Sequence, residues 1–119
     1  MSARVVDVDQ GIVTLRISGT LSNEEYTSSQ KEISDAILKA GKVRILILAE
    51  DFEGWEKGGN WNDVSFQLAH DGDIERMAIV SNRKWEDTAR LFTGSGLRRF
   101  PIEFFDSADI GKARTWINE

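Results

Sequence analysis

Apolar and polar residues alternate at the start of the chain and then change period. In Ile12–Ile17, Val13, Leu15 and Ile17 fall on one side of an extended backbone, and Ile12, Thr14 and Arg16 on the other. A shorter β-branched run, Val6-Asp7-Val8, precedes the turn Asp9-Gln10-Gly11, so the two runs predict an antiparallel hairpin. From Ser22 the period lengthens. Ser22-Asn23-Glu24-Glu25 is a capping box, in which Ser22 and Glu25 satisfy each other's free backbone donors. Tyr26, Ile33, Ile37 and Ala40 then form one helical stripe, and Gly41 supplies the stop.

Val43 to Ala49 is apolar at nearly every position, which predicts a strand covered on both faces. A polar, glycine-rich loop is expected from Glu50 to Gly59. Asn60 then opens a helix carrying Trp61, Val64 and Leu68, which ends near His70-Asp71-Gly72. Ile74 to Val80 reads as a second buried strand. Ser81 or Asn82 caps a third helix with Trp85, Ala89 and Phe92 at i, i+4 and i+7, broken by Gly94-Ser95-Gly96. Phe100 to Phe104 is a last short strand, and Asp106 or Ser107 caps a terminal helix bearing Ile110, Ala113, Trp116 and Ile117. The order ββαβαβαβα predicts one α/β domain over residues 1–119. Its five-stranded sheet is mostly parallel, with one antiparallel N-terminal edge strand.

At 119 residues the chain can bury about two-thirds of its unfolded surface, so it needs no covalent staple. It has no cysteine, which excludes disulfides and thiolate chemistry and fits an expected cytoplasmic location. The start, Met1 to Asp7, lacks the apolar stretch of a signal peptide. The net charge of -5 disfavours nucleic acid as a partner, because that affinity comes from neutralising phosphates. Charge is unevenly spread. Arg83 to Arg99 holds five basic and two acidic residues, and Glu50 to Asp63 five acidic and one basic. Two solvated faces of opposite sign account for this, and a partner-facing surface is the alternative.

The succession of elements is similar to that of STAS domains. Phe52-Glu53-Gly54-Trp55, Trp61-Asn62-Asp63, Glu75 to Val80, Lys84-Trp85, Phe105-Asp106 and Trp116-Ile117 narrow the resemblance to the SpoIIAA-like branch. It spans essentially the whole chain. It implies a small bacterial protein related in fold to lipid-binding CRAL-TRIO domains, with an apolar cleft able to open and an association with lipids or membranes. It implies no known enzyme. Two departures stand out. Partner-switching STAS proteins place a phosphorylatable serine just after the third strand. Here that place holds Glu50 to Trp55, and the first hydroxyl beyond it is Ser65. After the third helix the family more often carries a Pro-Phe-type pair, where this chain has Thr93-Gly94-Ser95-Gly96, so any apolar insertion there rests on Leu97 and Phe100.

The tryptophans are the leading candidates for a site. Three of the four stand at predicted strand ends and helix starts, where ligands of open α/β sheets bind. Two readings stand for Trp61 and Trp85, which either pack helices on the sheet or line a cleft. Trp116 reads as core. Trp55, in a polar loop hinged by Gly54, Gly58 and Gly59, reads as exposed or ligand-facing. With Phe92 these give the ligand-binding set Trp55, Trp61, Trp85 and Phe92. Arg83, Lys84, Leu97, Arg98 and Arg99 form a membrane or headgroup candidate, since interfacial helices combine an apolar face with flanking cations. The plainer reading is an ordinary surface helix.

Conventional chemistry is poorly represented. His70 stands alone at a helix end, with no metal-ligand spacing around it. The acidic pairs Glu50-Asp51 and Glu53/Glu56 have no nucleophile or base nearby in sequence, and Gly58-Gly59-Asn60 lacks the Lys-Ser/Thr of a phosphate loop. No catalytic residue, metal or cofactor is expected. The expected function is a non-enzymatic binding module for an apolar or lipid-like ligand, with peripheral membrane contact. A STAS-type protein-interaction or regulatory module, acting on a protein partner or a second copy, is the alternative.

Overall fold

The computed structural model describes residues 3–57, 70–93 and 100–119, with 91–93 described by backbone alone. Five strands form one sheet in the order β1-β2-β3-β4-β5. They are β1 (Ala3–Asp9), β2 (Ile12–Leu21), β3 (Val43–Trp55), β4 (Ile74–Ser81) and β5 (Ile102–Asp106). β1 pairs antiparallel with β2, and every later pairing is parallel. The hairpin turns on Gln10 (φ 51°) and Gly11 (φ 80°), and positive φ at both central residues matches the twist of the flanking strands.

The described helices are α1 (Asn23–Ala40), α2 (Glu86–Thr93) and α3 (Ile110–Asn118). The helix expected from Asn60 lies outside the described residues. At the start of α1 the Ser22 hydroxyl accepts from the Glu25 amide at 3.1 Å, and Gly41 donates back to Ile37 at the other end. The buried stripe of α1 is Ser29, Ile33, Ala36 and Ile37. Tyr26 is half-buried, and Ala40, at the last position of the helix, is exposed. Asn82 caps a short 3-10 turn, Arg83–Trp85, that leads into α2, so Trp85 precedes that helix. Asp106 does the same before α3, accepting from the Ala108 amide.

Crossovers β2-α1-β3 and β4-α2-β5 step the same way along the sheet. Right-handed connections therefore put α1 and α2 on one face. There Val13, Ile45, Met77 and Ile79 pack with Ile33 and Ile37 of α1 and Ala89 of α2. Each fully buried aliphatic side chain contributes about 1.5–3 kcal/mol. α3 covers the opposite face, where Leu46, Leu48, Ala78 and Val80 meet Ala113 and Ile117. Arg44 and Arg76, paired across β3 and β4, donate to the terminal carbonyls of α3 at Ile117 (2.9 Å) and Trp116 (2.8 Å). They place cations where the helix leaves unpaired acceptors. Trp116, read as core, is half-buried at the margin of that cluster, packed against Phe105 with the Arg76 guanidinium over its ring.

The main correction concerns β3. It does not stop at Ala49. It continues to Trp55, hydrogen-bonded to a β2 that itself runs on to Leu21. The Glu50–Trp55 stretch is therefore strand and not loop, and Gly54 is not a loop hinge. The register shows how. Arg16 pairs with Leu48 and Ser18 with Asp51, then Gly19 pairs with Phe52 and Thr20 with Gly54, so β3 holds one extra residue at each step. Such bulges bend a strand and re-aim its side chains. Near the other edge, Phe100 is buried in the core and the strand starts at Ile102, so Phe100 is not available for membrane insertion.

Gly54 carries the second bulge at φ 115°, a backbone region nearly reserved for glycine. A methyl group there would lie 3.9 Å from Trp85, so conformation and not space is the constraint. Gly54→Ala should lower stability by about 1–3 kcal/mol in urea denaturation. A change within about 0.5 kcal/mol, the range of ordinary surface substitutions, would refute this role for the bulge.

Candidate functional site: an apolar cavity under α1 and α2

Small residues on the inner face of the sheet leave a void toward the carboxyl ends of the strands. Ala49 of β3 pairs with Ser81 of β4, and Ser29 of α1 and Ala89 of α2 also border the gap. Large aliphatics, among them Leu15, Ile17, Ile47 and Ile79, form its floor. The result is a cavity of about 110 Å³ that opens to solvent. A single water needs roughly 10–15 Å³ and an engineered cavity of ~150 Å³ takes up benzene, so the space suits several non-hydrogen atoms of an apolar molecule.

Three aromatic rings frame it. The two bulges bring Ala49, Phe52 and Trp55 to the same face at intervals of three residues, which a regular strand would scatter over both faces. Phe52 stacks on Trp55 with centroids 6.0 Å apart and meets Trp85 edge-on at 4.8 Å. The geometry lies within the range in which aromatic pairs attract. At the close of β3 the Glu56 amide donates to the Leu21 carbonyl, and the Glu56 carboxylate accepts from the Asn23 amide at 2.7 Å. The end of β3 is thereby fastened to the N-terminus of α1, next to Trp55.

The two buried hydroxyls in the wall are both occupied. The buried Ser29 hydroxyl donates to the Tyr26 carbonyl, and the buried Ser81 hydroxyl to the Ala49 carbonyl, each at 2.7 Å. No described lining residue is charged. The Trp85 indole nitrogen is buried and has no hydrogen-bond partner among the described residues.

The ligand-binding set is thus resolved in part. Trp55 and Trp85 line the same cavity, Trp55 from the end of a strand. Trp61 lies outside the described residues, and so does the Phe92 side chain, although its backbone belongs to α2. Phe52, Tyr26, Ser29 and Ser81 join the wall without having been singled out. Phe52 had a signal, since it stands three residues before Trp55. Of the membrane or headgroup candidate, Leu97, Arg98 and Arg99 lie outside the described residues. Arg83 donates to Glu86 at 2.8 Å, and Lys84 is exposed with its ammonium 5.7 Å from the Trp85 ring centre. His70 contacts Ser34 at 3.1 Å and Asp73 at 3.7 Å, tying α1 to the turn before β4. Among the described residues no group of three or more His, Asp or Glu could hold a metal ion.

A family model described as SpoIIAA-like matches residues 12–118. The chain belongs to the SpoIIAA-like family. Its fold is similar to that of a solved structure from Shewanella loihica PV-4, an uncharacterised protein of the DUF3478 family with a SpoIIAA-like fold. The TM-score is 0.73 at 20% identity, with 98% of this chain and 93% of that chain covered. No curated protein matches the chain. No described helix of this SpoIIAA-like protein is long and apolar enough to cross a membrane.

Glu86 anchors the start of α2 beside the cavity. Arg90 hydrogen-bonds its carboxylate and, with Arg83, holds its pKa below the ordinary 4.5 despite some opposing desolvation. A carboxylate depressed by folding stabilises above its unfolded pKa, and the contribution fades as pH falls through the folded value. Glu86→Gln should therefore lower the thermal midpoint slightly at pH 7. The gap should shrink as pH drops below 4.5. A gap that does not change with pH would show that the two arginines do not act through the charge.

Proposed function

We propose that the protein is a non-enzymatic binding module for an apolar or lipid-like small molecule, held between the sheet and helices α1 and α2. The observation that carries this reading is the cavity itself. None of its described lining residues is charged, and it is framed by Phe52, Trp55 and Trp85 and placed toward the strand carboxyl ends, where α/β sheets hold ligands. A well-packed core of this size would fill such a void, since interiors pack like organic crystals and unfilled space costs stability. Entry of a ligand recovers those contacts. Peripheral contact with an anionic membrane is the weaker part of the proposal, because Arg83 and Arg90 both pair with Glu86 and lower the positive charge that segment offers.

Benzene is a suitable first probe. Titrated into labelled protein, it should produce saturable shifts at the methyl groups of Ile47 and Ile79. Ala49→Leu or Ala89→Leu should each fill the space and abolish those shifts. Overpacking is expected to cost about 1–3 kcal/mol, which leaves the fold intact. Shifts that persist unchanged in both variants would remove the cavity as the site.

A second reading, a STAS-type interaction module without a phosphorylated serine, draws on different residues. Leu38 on α1 is 81% exposed and Val8 on the edge strand 52%. With a second copy as partner, sedimentation equilibrium should reveal association that Leu38→Glu removes. A monomer at every concentration would count against this form of it.

A further inference from the structure

The lining of the cavity changes in chemistry along the strands, and the change bears on what fills it. Its floor is aliphatic, with Leu15, Ile17, Ile47 and Ile79. Toward the strand ends it becomes largely aromatic. Phe52 and Trp55 come from β3, Trp85 from the turn before α2, and Tyr26 from the first turn of α1. Each of these four side chains is half-buried and borders the cavity. Phe52 is central to the group, stacked on Trp55 at 6.0 Å and edge-on to Trp85 at 4.8 Å.

An alkyl chain and an aromatic ring gain different things from such a wall. Both gain burial. Only the ring adds the quadrupole attraction of offset-stacked or edge-to-face contact, which comes on top of the area removed from water. Because Phe52 lies at 25° to Trp55 and 65° to Trp85, a planar guest can lie offset against one ring and meet another edge to face. The size agrees. At about 110 Å³ the space is smaller than the ~150 Å³ that holds benzene elsewhere, but it opens to solvent, so one six-membered ring fills it with an edge or substituent at the mouth. An ionised guest would lose its hydration among lining residues of which none described is charged.

We infer that the cavity selects a neutral, single-ring aromatic group over an alkyl chain, and that the ring seats against the cluster of Phe52, Trp55 and Trp85. This rests on the cavity being a binding site and adds to it the class of the ligand. The aromatic group is either a whole small molecule or the end of a larger one whose remainder lies outside the mouth.

Benzene and cyclohexene, six-carbon rings that differ in aromaticity, test the inference. In the parent protein, bound benzene should give intermolecular NOEs to ring protons of at least one of Phe52, Trp55 and Trp85. NOEs confined to the aliphatic floor would overturn the seat. The ratio of benzene to cyclohexene affinity should fall about fivefold in Phe52→Leu, the scale of one aromatic pair. Comparing ratios between proteins cancels each ligand's own transfer from water. Ile79→Val, which enlarges the aliphatic floor, should leave the ratio within about twofold. An unchanged ratio in Phe52→Leu, or an equal fall in both variants, would overturn the aromatic preference and leave an apolar site standing. If benzene does not bind the parent protein, the preference and the binding site fall together. The NOEs are read in the parent protein, so the test does not depend on either variant folding.

Discussion

Backbone hydrogen bonding between β2 and β3 sets the geometry on which the cavity depends. The two strands stay paired far beyond the end of the apolar run in β3, and the pairing is maintained only because β3 absorbs two extra residues. Each bulge costs regular ladder geometry and turns the next side chain by half a pleat. The consequence is that Ala49, Phe52 and Trp55 all face α1 and α2, while Glu50, Asp51 and Glu53 remain exposed. Gly54 permits the second bulge, and Glu56 then fastens the strand end to the first turn of α1. Aromatic placement, void and helix contact follow from one strand pairing.

The two faces of the sheet have been solved differently. Under α3 the described residues form one contiguous apolar cluster. Leu46, Leu48, Ala78 and Val80 meet Ala113 and Ile117, and arginines from β3 and β4 finish the helix by binding its last carbonyls. Under α1 and α2 the floor is just as apolar, and the small residues Ala49, Ser81, Ser29 and Ala89 border the open space. The asymmetry points to function more than any individual residue does. Among the described residues one face ends in a packed cluster and the other borders a cavity. The membership of the chain in the SpoIIAA-like family fixes the architecture, and the proposed ligand is argued from the walls of that space.

Much of this was legible in the sequence where local rules and tertiary structure agree. The capping box at Ser22, the stop at Gly41, the continuous run from Val43 and the terminal helix with Ile117 each carry a single strong period or cap. The extension of β3 was not legible. Its inward residues recur at intervals of three, which matches neither the period of two of a strand nor that of a helix, and the intervening acids read as loop. Only the pairing with β2, a long-range contact, makes them strand. The site was half legible for the same reason. Trp55 and Trp85 were marked by type and position, whereas Phe52 and Ser81 became wall residues through bulges and register. The unpartnered indole could not be seen at all without the surrounding chain.

The most direct measurement is the mass of the protein as it comes from the cell. Native mass spectrometry of freshly purified material, followed by organic extraction, compares the observed mass with that of the bare 13.4 kDa chain. The account predicts one discrete small-molecule adduct per chain, extractable into organic solvent. A bare chain, both as purified and after incubation with a mixture of neutral apolar compounds, would contradict it.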